Sequence, residues 1–241
     1  MGLPRIHQAA TLREGLELTL DEGASRHLLR VLRLRPGDHL AVFDGEGREH
    51  EAVLVATPHK RARVALGAPR SAAAESPLEI VLAQGIARGE RMDYALQKAV
   101  ELGVSRIVPL FTRRSNVKLA GERLARRLAH WRGVVIHACE QCGRSRLPRL
   151  DAPVALADWQ PPAGLRLVLA PQAQAGPATL APPEGPVVLA IGPEGGLSKD
   201  EFQYLQGLGF HPLRLGPRIL RTETAAVAAL AALQTLWGDL S

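Results

Sequence analysis

The sequence predicts an α/β protein in two parts, a small all-β module followed by a larger domain built on a parallel sheet. Three observations carry this. Residues 1–68 hold short apolar runs that alternate with polar residues and are parted by turn residues. Residues 69–77, rich in alanine and carrying two prolines, show no periodicity and read as a linker. From residue 78 to 241, apolar strand-like runs alternate with helical periodicities, the pattern of a parallel sheet with crossover helices.

In the first part, strands are expected at 16–20, 38–44, 51–56 and 62–66. The second closes on the turn Asp44-Gly45-Glu46-Gly47, and Pro58 parts the last two. Between the first two lies HLLRVLRLRPGD, 27–38, whose irregular alternation fits a short helix running into a turn. Arg30, Arg33 and Arg35 crowd this stretch. Such density suits phosphate contact, and equally suits a solvated face, because the module carries many carboxylates.

In the second part, 78–84 reads as a buried strand. Met92, Ala95, Leu96, Ala99 and Val100 recur at helical spacing and Gly103 supplies the stop. A strand at 106–110 leads into the basic loop TRRSNVK, 112–118. A long helix, 122–142, puts Leu124, Leu128, Trp131, Val135, Ala138 and Cys142 on one face. Further strands are expected at 165–170, Val187–Ile191 and 210–215, and a last helix at Thr222–Trp237.

Two stretches carry the functional signal. In VVLAIGPEGGLSKDE, 187–201, a strand meets Gly192-Pro193-Glu194-Gly195-Gly196, a loop of free amides with little side chain in the way. Ser198 and Glu201 then form a capping box, with Leu197 and Phe202 as a hydrophobic staple. In LGPRILRTETAA, 215–226, the logic repeats, with Thr222 as the expected cap and Glu223 in the first turn. In α/β folds ligands bind at such strand ends. A purely structural connection has the same spacing. No G-x-G-x-x-G or G-x-x-x-x-G-K-[ST] is present, and these loops hold no nucleophile–base pair or metal cluster, which counts against a hydrolase and leaves open a transfer reaction that mainly positions its reactants.

Charge and cysteine usage narrow the class. The formal net charge of +6 and pI near 10.0 suit a polyanionic partner, although many basic proteins bind none. The N-terminus lacks an apolar signal core, and the longest apolar run, 225–233, is too short to span a bilayer. The two cysteines form Cys139-Glu-Gln-Cys142 late in the long helix, where packing is favoured over redox or metal roles. A reduced, cytoplasmic protein is expected.

GPEGGLS together with LGPRILRTETA resembles the SPOUT-class methyltransferases, and more narrowly the bacterial 16S ribosomal RNA (uracil-N3)-methyltransferases. HLLRVLRLRPGD resembles that family's N-terminal PUA-like barrel. KAVELGVSRIVPLFTRRSNVK and EQCGRSRLP look like its internal motifs. The resemblance implies a PUA-like β-barrel followed by an α/β SPOUT domain with a C-terminal trefoil knot. It implies S-adenosylmethionine bound by Leu169, Ala170, Pro171, Gly192, Pro193, Glu194, Gly195, Gly196, Leu215, Gly216, Ile219, Leu220, Arg221 and Thr222. It further implies a homodimer, and methylation of N3 of a uridine at the decoding region of the assembled small subunit. Arg221 is the candidate to stabilise the uridine anion and Glu194 the nearest candidate base. Candidate RNA contacts are Arg5, His27, Arg30, Arg33, Arg35, Arg113, Arg114, Asn116 and Arg144. The alternatives are a non-catalytic RNA-binding assembly factor and an enzyme acting on transfer RNA.

Overall fold

The computed structural model describes residues 3–71, 73, 75–115 and 119–240. The chain forms two compact units. One comprises Met1–Glu75 with Ile136–Leu147, the other Ser76–Val135 with Pro148–Ser241.

In the first unit, β1 (Arg5–His7), β2 (Glu17–Thr19), β3 (His39–Phe43), β4 (Glu49–Ala56) and β5 (Arg63–Arg70) form one sheet in the order β1-β3-β4-β5-β2. Its core comes from alternate positions, among them Leu40, Val42, Leu54 and Val64, none of them exposed. Helix α1 (Glu22–Arg26) begins where Asp21 Oδ1 accepts from Ala24 N. It then widens into a π-helical turn at His27–Val31, in which Leu32 N donates to His27 O. The expected short helix thus exists, but starts at the Asp21 cap rather than at His27. β5 runs on into the expected linker as far as Arg70, because an irregularity opposite His50 and Ala52 lets Gly67–Arg70 keep pairing with β4.

Residues 136–147 are pinned to this unit by Arg5. Its guanidinium donates to Cys139 O (2.6 Å), Arg144 O (3.1 Å), Ser145 Oγ (2.8 Å) and Glu49 Oε2 (2.7 Å). Glu49 also accepts from Ser145 Oγ (2.6 Å) and Arg70 Nε (3.1 Å). Burial raises the proton affinity of the Glu49 carboxyl, but these donors and the Arg5 and Arg70 charges outweigh it and hold the group below the usual carboxylate range.

The second unit carries a sheet of strands β6 (Ile80–Gly85), β7 (Arg106–Phe111), β8 (Arg149–Leu150), β10 (Leu165–Leu169), β11 (Val187–Ile191) and β12 (His211–Leu213), in the order β12-β10-β11-β6-β7-β8. Strand β9 (Val154–Ala155) pairs with β7, and every pairing is parallel. β6 and β11 are buried at every position, as central strands covered on both faces must be. Helix α2 (Glu90–Glu101) buries Met92, Ala95, Leu96, Ala99 and Val100, and Gly103 ends it with φ +76°. Helix α3 (Gly121–Cys142) follows β7. Helix α4 (Lys199–Gly207) has the expected reciprocal Ser198–Glu201 capping box. Helix α5 (Thr222–Trp237) packs on α2, and its buried Gln234 accepts from Ser76 Oγ and donates to Leu102 O. No helix among the described residues is long and apolar enough to cross a membrane. Cys139 is fully buried and its thiol is pushed up to about 12, mainly by desolvation, so it packs rather than reacts.

Candidate active site

The carboxyl ends of β10, β11 and β12 open into a cavity of about 700 Å³. Every residue expected to bind cofactor lines it except Gly195: Leu169, Ala170 and Pro171 after β10, Gly192, Pro193, Glu194 and Gly196 after β11, and Leu215, Gly216, Ile219, Leu220, Arg221 and Thr222 after β12. Gly195 turns away. A Cβ there would lie 3.0 Å from Arg114 Cβ, and its carbonyl accepts from Arg114 Nη1 at 3.1 Å. The loop is a tight turn in which Gly196 N donates to Pro193 O, and Gly196 holds φ +67°, which favours glycine. Gly85, at the end of β6, makes room for it. A Cβ on Gly85 would meet Pro193 Cδ and N at 2.6 Å.

Thr222 differs from its expected role. Arg221 takes the cap position of α5, with φ −65° and ψ 154°, and makes no side-chain cap bond. The Thr222 hydroxyl instead donates to Gly192 O (2.6 Å) and accepts from Gln84 Nε2 (2.9 Å). One buried hydroxyl therefore ties the end of β6, the loop after β11 and the start of α5. Gln84 is a functional residue that motif reading does not find. Its one signal is a lone polar side chain at the end of an apolar strand.

Among the described residues, six cationic side chains, Arg91, Arg114, Lys199, Arg214, Arg218 and Arg221, line the cavity against one carboxylate, Glu194. The exposed Arg221 guanidinium has no partner among the described residues. Glu194 Oε1 accepts from Arg88 N (2.9 Å) and Arg91 Nη1 (3.3 Å). Burial raises its proton affinity, but the backbone donors and Arg91 outweigh this and leave its pKa below the ordinary value. That makes Glu194 a weak proton acceptor and a strong tether for its loop. The cavity has the volume of a cofactor site, apolar walls in Leu169, Ile191 and Phe202, and glycine-rich backbone on two sides, so a nucleoside-sized cofactor fits it.

The RNA methyltransferase domain profile matches residues 74–234, and the RNA methyltransferase PUA domain profile matches 20–66. The small-subunit ribosomal RNA methyltransferase E of Buchnera aphidicola subsp. Schizaphis graminum is 34% identical over 99% of this chain and 98% of its own. The chain belongs to the ribosomal RNA small subunit methyltransferase E family. A methyltransferase of Legionella pneumophila, solved with bound SAM, superposes with a TM-score of 0.94 at 41% identity, covering all of both chains. The family enzyme of Neisseria gonorrhoeae, bound to S-adenosyl methionine, superposes at 0.91 with 40% identity over the same full coverage.

In this methyltransferase E family member the expected RNA contacts separate into groups. Arg30, Arg33 and Arg35 are exposed and their guanidinium groups lack partners among the described residues; Val31, 64% exposed, and Leu32 lie between them. Arg33 takes φ +57°, which follows from leaving the π-helical turn. Arg5 and Arg144 are corrected to internal roles: Arg5 holds 136–147, and Arg144, almost buried, pairs with Glu75 at 2.5 Å. Arg113 is exposed and paired with Asp200, while Arg114 reaches the cavity. His27 stacks on His137. Asn116 lies outside the described residues.

Proposed function

We propose that this chain methylates N3 of a uridine in 16S ribosomal RNA, in the decoding region of the small subunit, using S-adenosylmethionine in the cavity after β10, β11 and β12. The observation that carries this reading is the unengaged Arg221 guanidinium at the start of α5, on the wall of a cofactor-sized cavity. Bound S-adenosylmethionine supplies a methyl group activated on a sulfonium. Uridine N3 is a poor nucleophile until its imide proton leaves, and the anion then spreads over N3 and both carbonyl oxygens. Arg221 and the first-turn amides of α5 place positive charge where that anion develops. The proton passes to solvent, because the one lining carboxylate, Glu194, is held ionised by Arg88 and Arg91 and serves to order the loop.

Arg30, Arg33 and Arg35 supply phosphate contacts that set affinity and register without reading bases. The protein acts in the cytoplasm on assembled small subunits, as a homodimer with the C-terminal trefoil knot of its class. Support for the dimer is the outer side of α5, where Ala225, Val227, Ala228, Ala231 and Ala232 stay half-covered and Leu236 is 42% exposed, while Ala226, Ala229, Leu230 and Leu233 are buried within the unit. The deciding experiment supplies the protein with small subunits from cells lacking this activity and maps the methyl group by mass. Methyl on a uridine N3 of 16S RNA is expected. Transfer to transfer RNA, or cofactor binding with no transfer to either, overturns the reading.

A further inference from the structure

Three side chains able to ligate a metal converge in the first unit, one of them, His27, far in sequence from the other two. His27 opens the π-helical turn, and His137 and Glu140 lie one helical turn apart near the end of α3. None of them lines the cavity of the second unit. The His27 and His137 rings stack with centroids 5.0 Å apart and an angle of 29° between planes. One nitrogen from each ring and one Glu140 oxygen lie within 4.8 Å of one another.

The cluster is framed rather than incidental. Glu140 Oε1 accepts from His7 N (3.0 Å), which fixes the carboxylate and leaves Oε2 facing His137 Nδ1 at 2.8 Å. The Glu140 side chain is only 7% exposed, whereas that of His137 is 57% exposed, so the cluster has a deep wall and an open side. Arg5 holds the same helix end through Cys139 O and Glu49. The π-helical turn matters here, because its extra residue is the kind of local widening that aims a side chain at a site.

We propose that His27, His137 and Glu140 form a binding site for a zinc-class transition-metal ion, with a fourth position open to water. Two imidazoles and one carboxylate are the donor set such ions take when they keep an open position. Calcium and magnesium are disfavoured, since both require more oxygen ligands than the cluster offers. Tetrahedral zinc with bonds of roughly 2.0–2.1 Å needs donors roughly 3.3 Å apart, so the cluster contracts on binding, and His137, the most exposed of the three, has the most room to move. Without an ion, the His137–Glu140 pair occupies the same donors. Bound, the ion adds a cross-link between the turn after α1 and the end of α3, two segments far apart in sequence that already meet through the His27–His137 stack, and so stabilises the first unit.

The test uses full-length protein without a histidine tag, stripped with chelator and titrated with Zn²⁺ by calorimetry and with Co²⁺ by visible absorption. One ion per chain with micromolar affinity is expected, and the Co²⁺ complex should show the intense bands of four-coordinate geometry. His27→Ala and His137→Ala should each weaken binding at least tenfold, while His59→Ala and Cys142→Ser leave it unchanged. Saturable binding absent from wild type, binding unchanged in both histidine variants, or binding lost in Cys142→Ser overturns the proposal. Should His27→Ala fail to fold, His137→Ala decides alone, because its exposed ring is removable without opening the core.

Discussion

Replacing Thr222 by valine should weaken cofactor binding by loosening the loop that the Thr222 hydroxyl ties down. Valine keeps the branched shape and deletes only the hydroxyl that bonds Gly192 O at 2.6 Å and Gln84 Nε2 at 2.9 Å. Gln84 Nε2 keeps its bond to Gly85 O, so the orphaned group is chiefly the Gly192 carbonyl. Two hydrogen bonds at about 0.5–1 kcal/mol each, plus about 1–2 kcal/mol for an unsatisfied acceptor, give a loss of ~2–4 kcal/mol. If half of this is confined to the loop, binding must restore about 1.4 kcal/mol, which is about tenfold in Kd. Thr222→Ser keeps the hydroxyl and should stay within about threefold of wild type by the same relation. All three tryptophans, Trp131, Trp159 and Trp237, lie in the second unit, so fluorescence-monitored denaturation reads its stability directly. Calorimetric titration with S-adenosylmethionine reads the affinity. A valine variant with wild-type affinity and stability, or a serine variant weaker than valine, refutes the reasoning.

Arg221→Ala should lower turnover at saturating RNA by about 10²–10³-fold, the usual loss for a group that stabilises transition-state charge, with RNA affinity nearly kept. A variant that loses only RNA affinity contradicts that role. Replacing Arg30 and Arg33 together by alanine should weaken RNA binding and flatten its dependence on salt, because fewer counterions are released, while cofactor titrations stay unchanged. Gly85→Ala should impair cofactor binding from a residue outside the cavity lining, because its Cβ would lie 2.6 Å from Pro193; an unchanged calorimetric trace is the contrary outcome. Glu49→Gln should cost the first unit ~3–5 kcal/mol at neutral pH by leaving Arg5 without its buried partner. Its pH signature has a fixed sign. A carboxylate lowered by folding stabilises above its unfolded value, near ~4.3, and loses that contribution as pH falls toward the folded value. The glutamine variant should therefore show a flatter acid limb than wild type, measured by hydrogen exchange at β3 and β4, since the first unit has no tryptophan or tyrosine.

The second unit is legible in the sequence because its signals are local. The β11 run, the glycine turn and the Ser198–Glu201 box sit within fifteen consecutive residues, and each behaves in the fold as its chemistry dictates. The strand order is not written in the same way. That β11 sits between β10 and β6, with β12 beyond β10, depends on which apolar runs cover one another, and every such run looks alike in sequence. Thr222 misleads for a related reason. A threonine at a helix start has the local signature of a cap, and only the arrival of Gln84 and Gly192 from distant strands gives its hydroxyl better partners.

The basic residues show the limit most plainly, because charge in a sequence does not say which arginines face solvent. Arg5 and Arg144 carry the same group as Arg30 and Arg33, yet the first pair has carboxylates waiting, the buried Glu49 and the partly covered Glu75, and the second pair has none among the described residues. A guanidinium that lies beside a buried carboxylate cannot leave for a phosphate without stranding that carboxylate, a cost of several kcal/mol that one exposed phosphate contact does not return. The arginines left without an internal carboxylate are thus selected by where the acids lie, and that is a property of the fold. Metal ligation follows the same rule. His137 and Glu140 stand three residues apart, but the third donor, His27, lies far off in sequence, so the sequence reads as metal-free, and only the docking of 136–147 under Arg5 sets the three donors face to face. If His137→Ala abolishes Zn²⁺ binding while Arg5→Lys, which loses the fork that holds this helix end, weakens it, then the ion site and the internal arginine are one construction; wild-type binding in Arg5→Lys would separate them.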